Sequence, residues 1–137
     1  MQLGSWTPLP DATNFSCIIG SIITFVLPVP LPASFIVNLG KVANTTRVLL
    51  NAQPLGFAWC APHRVDLTQA LKVGKNLLDI EVTNLAANRI ADLDRRKIPW
   101  KKFHEINFVN IDYKLFDSAA WPAMDSGLLG PVTLLGH

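Results

Sequence analysis

Only two cysteines, Cys17 and Cys60, occur in the 137 residues. They are far apart, which excludes a disulfide scaffold and any Cys-x-x-Cys metal site and leaves open a single bridge. Glutamate is equally scarce, represented by Glu81 and Glu105 alone. Chemistry that runs on paired carboxyl groups needs them roughly 5 to 10 Å apart. Here the two glutamates and aspartates such as Asp66, Asp79, Asp92 and Asp94 are scattered through turns and exposed strand positions, as solvated carboxylates are. There is no Gly-x-Ser-x-Gly elbow, and His63, His104 and His137 lack metal-ligand spacing. Charge is sparse as well, at 16% of residues and a net +2, so nothing global points to nucleic acid or an anionic membrane. The most apolar stretch, Cys17 to Leu31, is interrupted at Pro28 and Pro30. It holds about ten apolar residues before that point, against the ~20 of a spanning helix. It also lacks the basic flank and N-terminal position of a signal peptide.

What is present is an apolar chain, 50% hydrophobic with a mean hydropathy of +0.29, long enough for one domain with a real core. The whole of 1–137 is therefore expected to be a single unit. β-Branched and aromatic clusters recur at short intervals between proline, glycine and asparagine, which is an all-β rhythm. Strands are expected at Ile18 to Leu27, Ser34 to Leu39 and Thr45 to Leu50. A compact turn over Asn51 to Gly56 then leads to a hairpin partner, Phe57 to Trp59. Asp66 to Leu71 allows one or two helical turns with Asp66 as a cap. Gly74 to Asn76 reads as a turn, and Leu77 to Thr83 alternates as a half-exposed strand. Asn84 to Lys102 is polar and basic, and is expected as a long surface loop or short helix. Ile106 to Ile111 reads as a strand, Phe116 to Ser126 as a loop, and Leu128 to Leu134 as a closing strand broken at Gly130-Pro131. About seven or eight short strands suit a two-sheet β-sandwich with one long polar loop.

The run Val48-Leu49-Leu50-Asn51-Ala52-Gln53-Pro54-Leu55-Gly56-Phe57-Ala58-Trp59, continuing through Pro62-His63-Arg64-Val65-Asp66, resembles the sugar-binding jelly-roll domains of glycoside hydrolases, including those related to family 2. Leu71 to Asn84 is similar to the next strand pair of that family. Asn88-Arg89-Ile90-Ala91-Asp92, Trp121-Pro122 and Ser126-Gly127-Leu128-Leu129-Gly130-Pro131-Val132 resemble more particularly the C-terminal domain of α-L-rhamnosidase-type enzymes such as family 106. The resemblance implies a galactose-binding-like jelly roll and a parent enzyme whose catalytic carboxylates lie in a larger domain outside this chain. It also implies a secreted or periplasmic setting. The sequence departs from the pattern at Ala52, where glycine is usual, and at His63, where an aromatic is usual.

No residue is assigned a catalytic role. A sugar ring stacks its C–H face on an aromatic and offers hydroxyls to fixed donors and acceptors. Trp59, His63 and Arg64 at the hairpin end, with Asn84, Asn88 and Arg89 beyond a strand, form the candidate sugar-binding group. The alternative is that Trp59 is core and Arg64 pairs with Asp66 or caps a loop. The basic stretch Arg89 to Lys102 with Trp100 and Phe103 has the composition of a single-strand nucleic-acid groove. Its acidic members, Asp92 and Asp94, favour a solvated loop or a face that docks on a partner. No cofactor or metal site is assigned, although a jelly roll can hold a structural calcium through backbone carbonyls and an aspartate. Two functions stay open. One is a carbohydrate-associated module of a glycoside hydrolase, binding a rhamnose- or galactose-containing glycan. The other is a structural domain that packs on a catalytic domain, another chain or a second copy of itself. Neither nucleic acid nor a membrane is expected as a partner.

Overall fold

A computed structural model describes residues 4–102, 109 and 111–136. It divides into two compact units, one of Met1–Trp6, Cys17–Asn84 and Asp125–His137, the other of Thr7–Ser16 and Leu85–Met124.

The first unit is the β-sandwich. Its strands are β1 (Ile18–Leu27), β2 (Phe35–Asn38), β3 (Lys41–Ala43), β4 (Thr45–Leu50), β5 (Gln53–Ala58), β6 (Arg64–Asp66), β7 (Gly74–Thr83), β8 (Gly127–Gly130) and β9 (Thr133–Gly136). They form a four-stranded sheet in the order β1-β7-β4-β5, a three-stranded sheet β6-β2-β9 and a pair β3-β8, with every ladder antiparallel. The two-residue period places Thr46, Val48 and Leu50 of β4 and Leu78, Ile80 and Val82 of β7 on one buried face. Phe35, Val37 and Val65 of the three-stranded sheet are buried too, with Leu39 and Leu67 just beyond its strands. The Phe25 and Phe35 rings, from different sheets, stack with centroids 5.9 Å apart. Fully burying each such side chain contributes about 1.5–3 kcal/mol, so this inner face holds the fold.

Two glycines are required by close approach. Gly40 has φ +64, and a Cβ there would lie 2.5 Å from the Pro131 carbonyl oxygen; Gly127 has φ +112, and its Cβ would strike the Trp6 ring.

The hairpin turn is tighter than the sequence suggests. Only Asn51 and Ala52 lie between β4 and β5, both with positive φ (53 and 68), as a two-residue primed turn demands. β5 therefore already includes Gln53 and Pro54, and Pro54 is tolerated because β5 is an edge strand. Gly74 to Asn76 belongs to β7 rather than to a turn. Asn76, fully buried, is saturated: its amide donates to the Lys72 and Gly74 carbonyls, and its oxygen accepts from Lys72 N–H and the Asn51 amide. The helical turn after Asp66 is a single 3-10 turn, Thr68–Ala70. Cys17 and Cys60 are free thiols.

In the second unit the polar stretch expected as a long surface loop or short helix contains a short helix, α1 (Ala87–Arg95). No glycine or proline interrupts it before Pro99, and Asp92 sits three residues after Arg89 and four before Arg96, a spacing that supports a helix through ion pairs. Phe116 to Met124 is irregular, as expected. The expected strand at Ile106 to Ile111 lies mostly outside the described residues, as do Phe103, His104, Glu105 and His137. No described helix is long and apolar enough to cross a membrane.

Candidate functional site

In the sandwich, Thr45 pairs with Thr83 and Thr46 with Ala58, so Trp59 and Asn84 leave the four-stranded sheet at the same end. With β4 between them they lie two strand spacings apart, about 10 Å. Trp59 is 74% exposed, which overturns the alternative that it is core. The indole follows Phe57, itself exposed, by two residues and so shares its side of the sheet. His63 is half-buried, with Nδ1 3.2 Å from the Gly40 carbonyl oxygen. Arg64 is exposed and does not pair with Asp66. Asp66 Oδ1 instead accepts from the Thr68 hydroxyl and N–H, and those bonds hold its carboxyl below the usual range. Asn84 is buried: its oxygen accepts from Cys17 N–H at 2.9 Å, its amide donates to the Ser126 hydroxyl at 3.2 Å, and its N–H extends the β1–β7 ladder to the Cys17 carbonyl. It closes the end of the sheet.

The remaining two predicted residues lie on α1. Asn88, buried, exchanges two 2.8 Å bonds with the Met124 backbone, donating to its carbonyl and accepting from its N–H. That reciprocal pair ties the returning chain to the helix. Arg89 is exposed and places Nη1 3.6 Å from Asp92 Oδ2; Arg96 approaches the same oxygen at 3.3 Å, and Asn14 donates to Asp92 Oδ1 at 3.0 Å. Sequence reasoning singled out Arg89 but neither Asn14 nor Arg96. The Arg-x-x-Asp-x-x-x-Arg spacing, which puts all three on one helix face, was the available signal.

A second polar centre gathers on Asp94. Its carboxylate accepts from Trp100 Nε1 at 2.7 Å, Ser118 N–H at 2.8 Å and the Ser118 hydroxyl at 2.7 Å, with Lys101 Nζ 3.5 Å away. Burial works to raise its pKa, but the Ser118 N–H, the Trp100 and Ser118 side chains and the Lys101 charge outweigh it and hold the group at about 2. Lys101 Nζ also sits 5.4 Å over the Trp100 ring and 5.5 Å over Phe116, and the Phe116 and Trp121 rings meet edge to face. Trp100 is thus occupied in internal packing and is not a free stacking platform for a base. Among the described residues no group of three or more His, Cys, Asp or Glu could hold a metal ion.

No protein-family model matches the chain. A protein of Formosa agariphila named "Putative beta-glucuronidase" is 34% identical over 113 residues, 71% of this chain but 10% of that protein. A solved rhamnosidase from Novosphingobium sp. PP1Y superposes with a TM-score of 0.74 at 28% identity over 96% of this chain and 12% of that one. The Bifidobacterium dentium β-glucuronidase matches with a TM-score of 0.51 at 26% identity over 58% of this chain and 14% of its own. The homologues are glycoside hydrolases, and the chain spans only about a tenth of their length. It corresponds to an accessory β-sandwich module of a glycoside hydrolase. Of the predicted site residues, Asn84 and Asn88 are buried and tie backbone segments together, whereas Trp59, Arg64 and Arg89 are exposed.

Proposed function

We propose that the chain is a non-catalytic, carbohydrate-associated module that docks on the remainder of a glycoside hydrolase through the outer face of its four-stranded sheet. The supporting observation is that face's composition. Opposite the core, β1 presents Ile18, Ile22 and Val26, the last 71% exposed, beside Leu77 of β7 and Phe57 of β5. The Arg47–Glu81 pair, 3.2 Å apart, sits among them. The row of exposed apolar side chains along β1, with Lys75, Asp79 and Glu81 of β7 opposite it on the same face, has the mixed apolar and charged composition of an interface. β1 is also an uncharged ten-residue edge strand, which proteins ordinarily cover. A rhamnosidase-type parent of family 106, exported to the periplasm or secreted, fits the sequence motifs and the rhamnosidase likeness.

Sedimentation velocity on the purified chain tests this. The uncovered face is expected to drive concentration-dependent self-association that Ile22→Asp with Phe57→Ser abolishes. A monomer at every concentration would contradict the docking reading.

A second reading is favoured by the exposure of Trp59: a sugar ring stacks on the indole, with Arg64 and His63 supplying hydrogen bonds. Calorimetry with rhamnose- and galactose-containing oligosaccharides, run beside Trp59→Ala, tests it. Binding that the variant loses supports a rim site, and absence of binding removes it.

A further inference from the structure

The carboxylate of Asp92 organises a cleft within the second unit. Arg89 and Arg96 meet that carboxylate through one nitrogen each, although each guanidinium carries five N–H donors in a fixed fork. Their side chains are 49% and 59% exposed, so most of those donors face outward. Pro10, Asp11, Asn14, Phe15 and Ser16 complete the lining of a space of about 480 Å³. A volume between 300 and 1,000 Å³ is the range of small-molecule sites. Phe15 is 48% exposed and supplies an apolar surface.

The charges decide the ligand class. Arg89 and Arg96 bring two positive charges, Asp11 and Asp92 two negative ones, so the lining is neutral and offers no net attraction to an anion. What it offers is outward donors from two guanidiniums, the exposed Asp11 carboxylate as acceptor, and one aromatic surface. Those are the requirements of a neutral polyhydroxylated ring, whose adjacent hydroxyls both donate and accept and whose C–H face packs on an aromatic. We propose that the Asp11–Asn14–Phe15–Arg89–Asp92–Arg96 cleft is a binding site for a neutral saccharide. The proposal rests on the carbohydrate-associated reading above but places the sugar away from Trp59.

The test is calorimetry of the full chain with neutral rhamnose- and galactose-containing oligosaccharides and with a uronic-acid oligosaccharide, comparing wild type, Arg96→Gln, Phe15→Ala and Trp59→Ala. Thermal melts establish that each variant is folded; Phe15→Ala and Arg96→Gln alter exposed side chains, and either one suffices. The expected result is binding of a neutral sugar that weakens at least tenfold in Arg96→Gln or Phe15→Ala and is unchanged in Trp59→Ala. Loss in Trp59→Ala alone would overturn the cleft and leave the rim reading standing. Affinity confined to the acidic oligosaccharide and lost in high salt would overturn the neutral-ligand assignment. No binding to any sugar would overturn both.

Discussion

The two units of this chain hold themselves together by different means. The sandwich rests on an inner face of Val37, Leu50, Leu67, Leu78 and Ile80, all essentially inaccessible to water, and its few buried amides sit at strand ends. The second unit buries little aliphatic surface; its buried residues include Asn88, Asp92 and Ser118, and its organisation comes from carboxylates that collect several donors each. Apolar burial is insensitive to pH and spread over many contacts, whereas a polar centre depends on each of its few bonds. The first arrangement suits a scaffold. The second suits a surface whose side chains must be aimed.

That contrast is most severely tested by truncating each centre. Ile80→Ala should cost about 2–5 kcal/mol, measured by urea unfolding, because the cavity lies in the rigid inner face. Asp94→Ala should cost about 1–3 kcal/mol, since it strands the Ser118 N–H and the Trp100 indole N–H. Its signature should be local: faster amide exchange at Ser118 with β7 protection unchanged. Acid should reproduce it. Asp94 titrates at about 2, below its ordinary 3.8, so its contribution is complete above that ordinary value and is lost as pH falls through about 2. The indole N–H resonance of Trp100 followed from neutral pH downward reads this directly. A second unit unaffected by acid would erase the distinction between the two.

Smaller changes sharpen the account of the sandwich. The Thr46 hydroxyl is fully buried without a partner, so Thr46→Val should raise stability by about 1 kcal/mol. Ala52→Gly should help by a similar ~1 kcal/mol, as Ala52 is held at φ 68, where an L-residue is strained. Least of all, a double-mutant cycle on Arg47 and Glu81 should return under about 1 kcal/mol, because the pair is partly exposed.

Much of the sandwich was legible in the chain. The apolar, β-branched run Ile18 to Leu27 and the alternation in Leu77 to Thr83 both read as strands, and they became β1 and most of β7. The short strands β3 and β6 were not, because three residues carry too little periodicity to distinguish a strand from a loop. Alanine at position 52, where the resembling family usually has glycine, is a backbone cost in a two-residue turn. Site residues were harder. Asn84, Asn88 and Arg89 share a polar composition, and composition does not reveal that the first two spend their amides on backbone at strand and helix ends while Arg89 points outward. Trp59 was legible as an aromatic in a hairpin, but its side of the sheet depended on a turn that is shorter than the Asn51 to Gly56 stretch suggested.

The proposed docking of this module through the outer face of its four-stranded sheet can be read in a chimera. Transplanting the chain into the Novosphingobium rhamnosidase in place of the matching segment, with and without Ile22→Asp and Phe57→Ser, and following limited proteolysis tests it most directly. The unaltered module is expected to resist release, and the double substitution to free it early. A module cleaved away equally fast with and without the substitutions would contradict it.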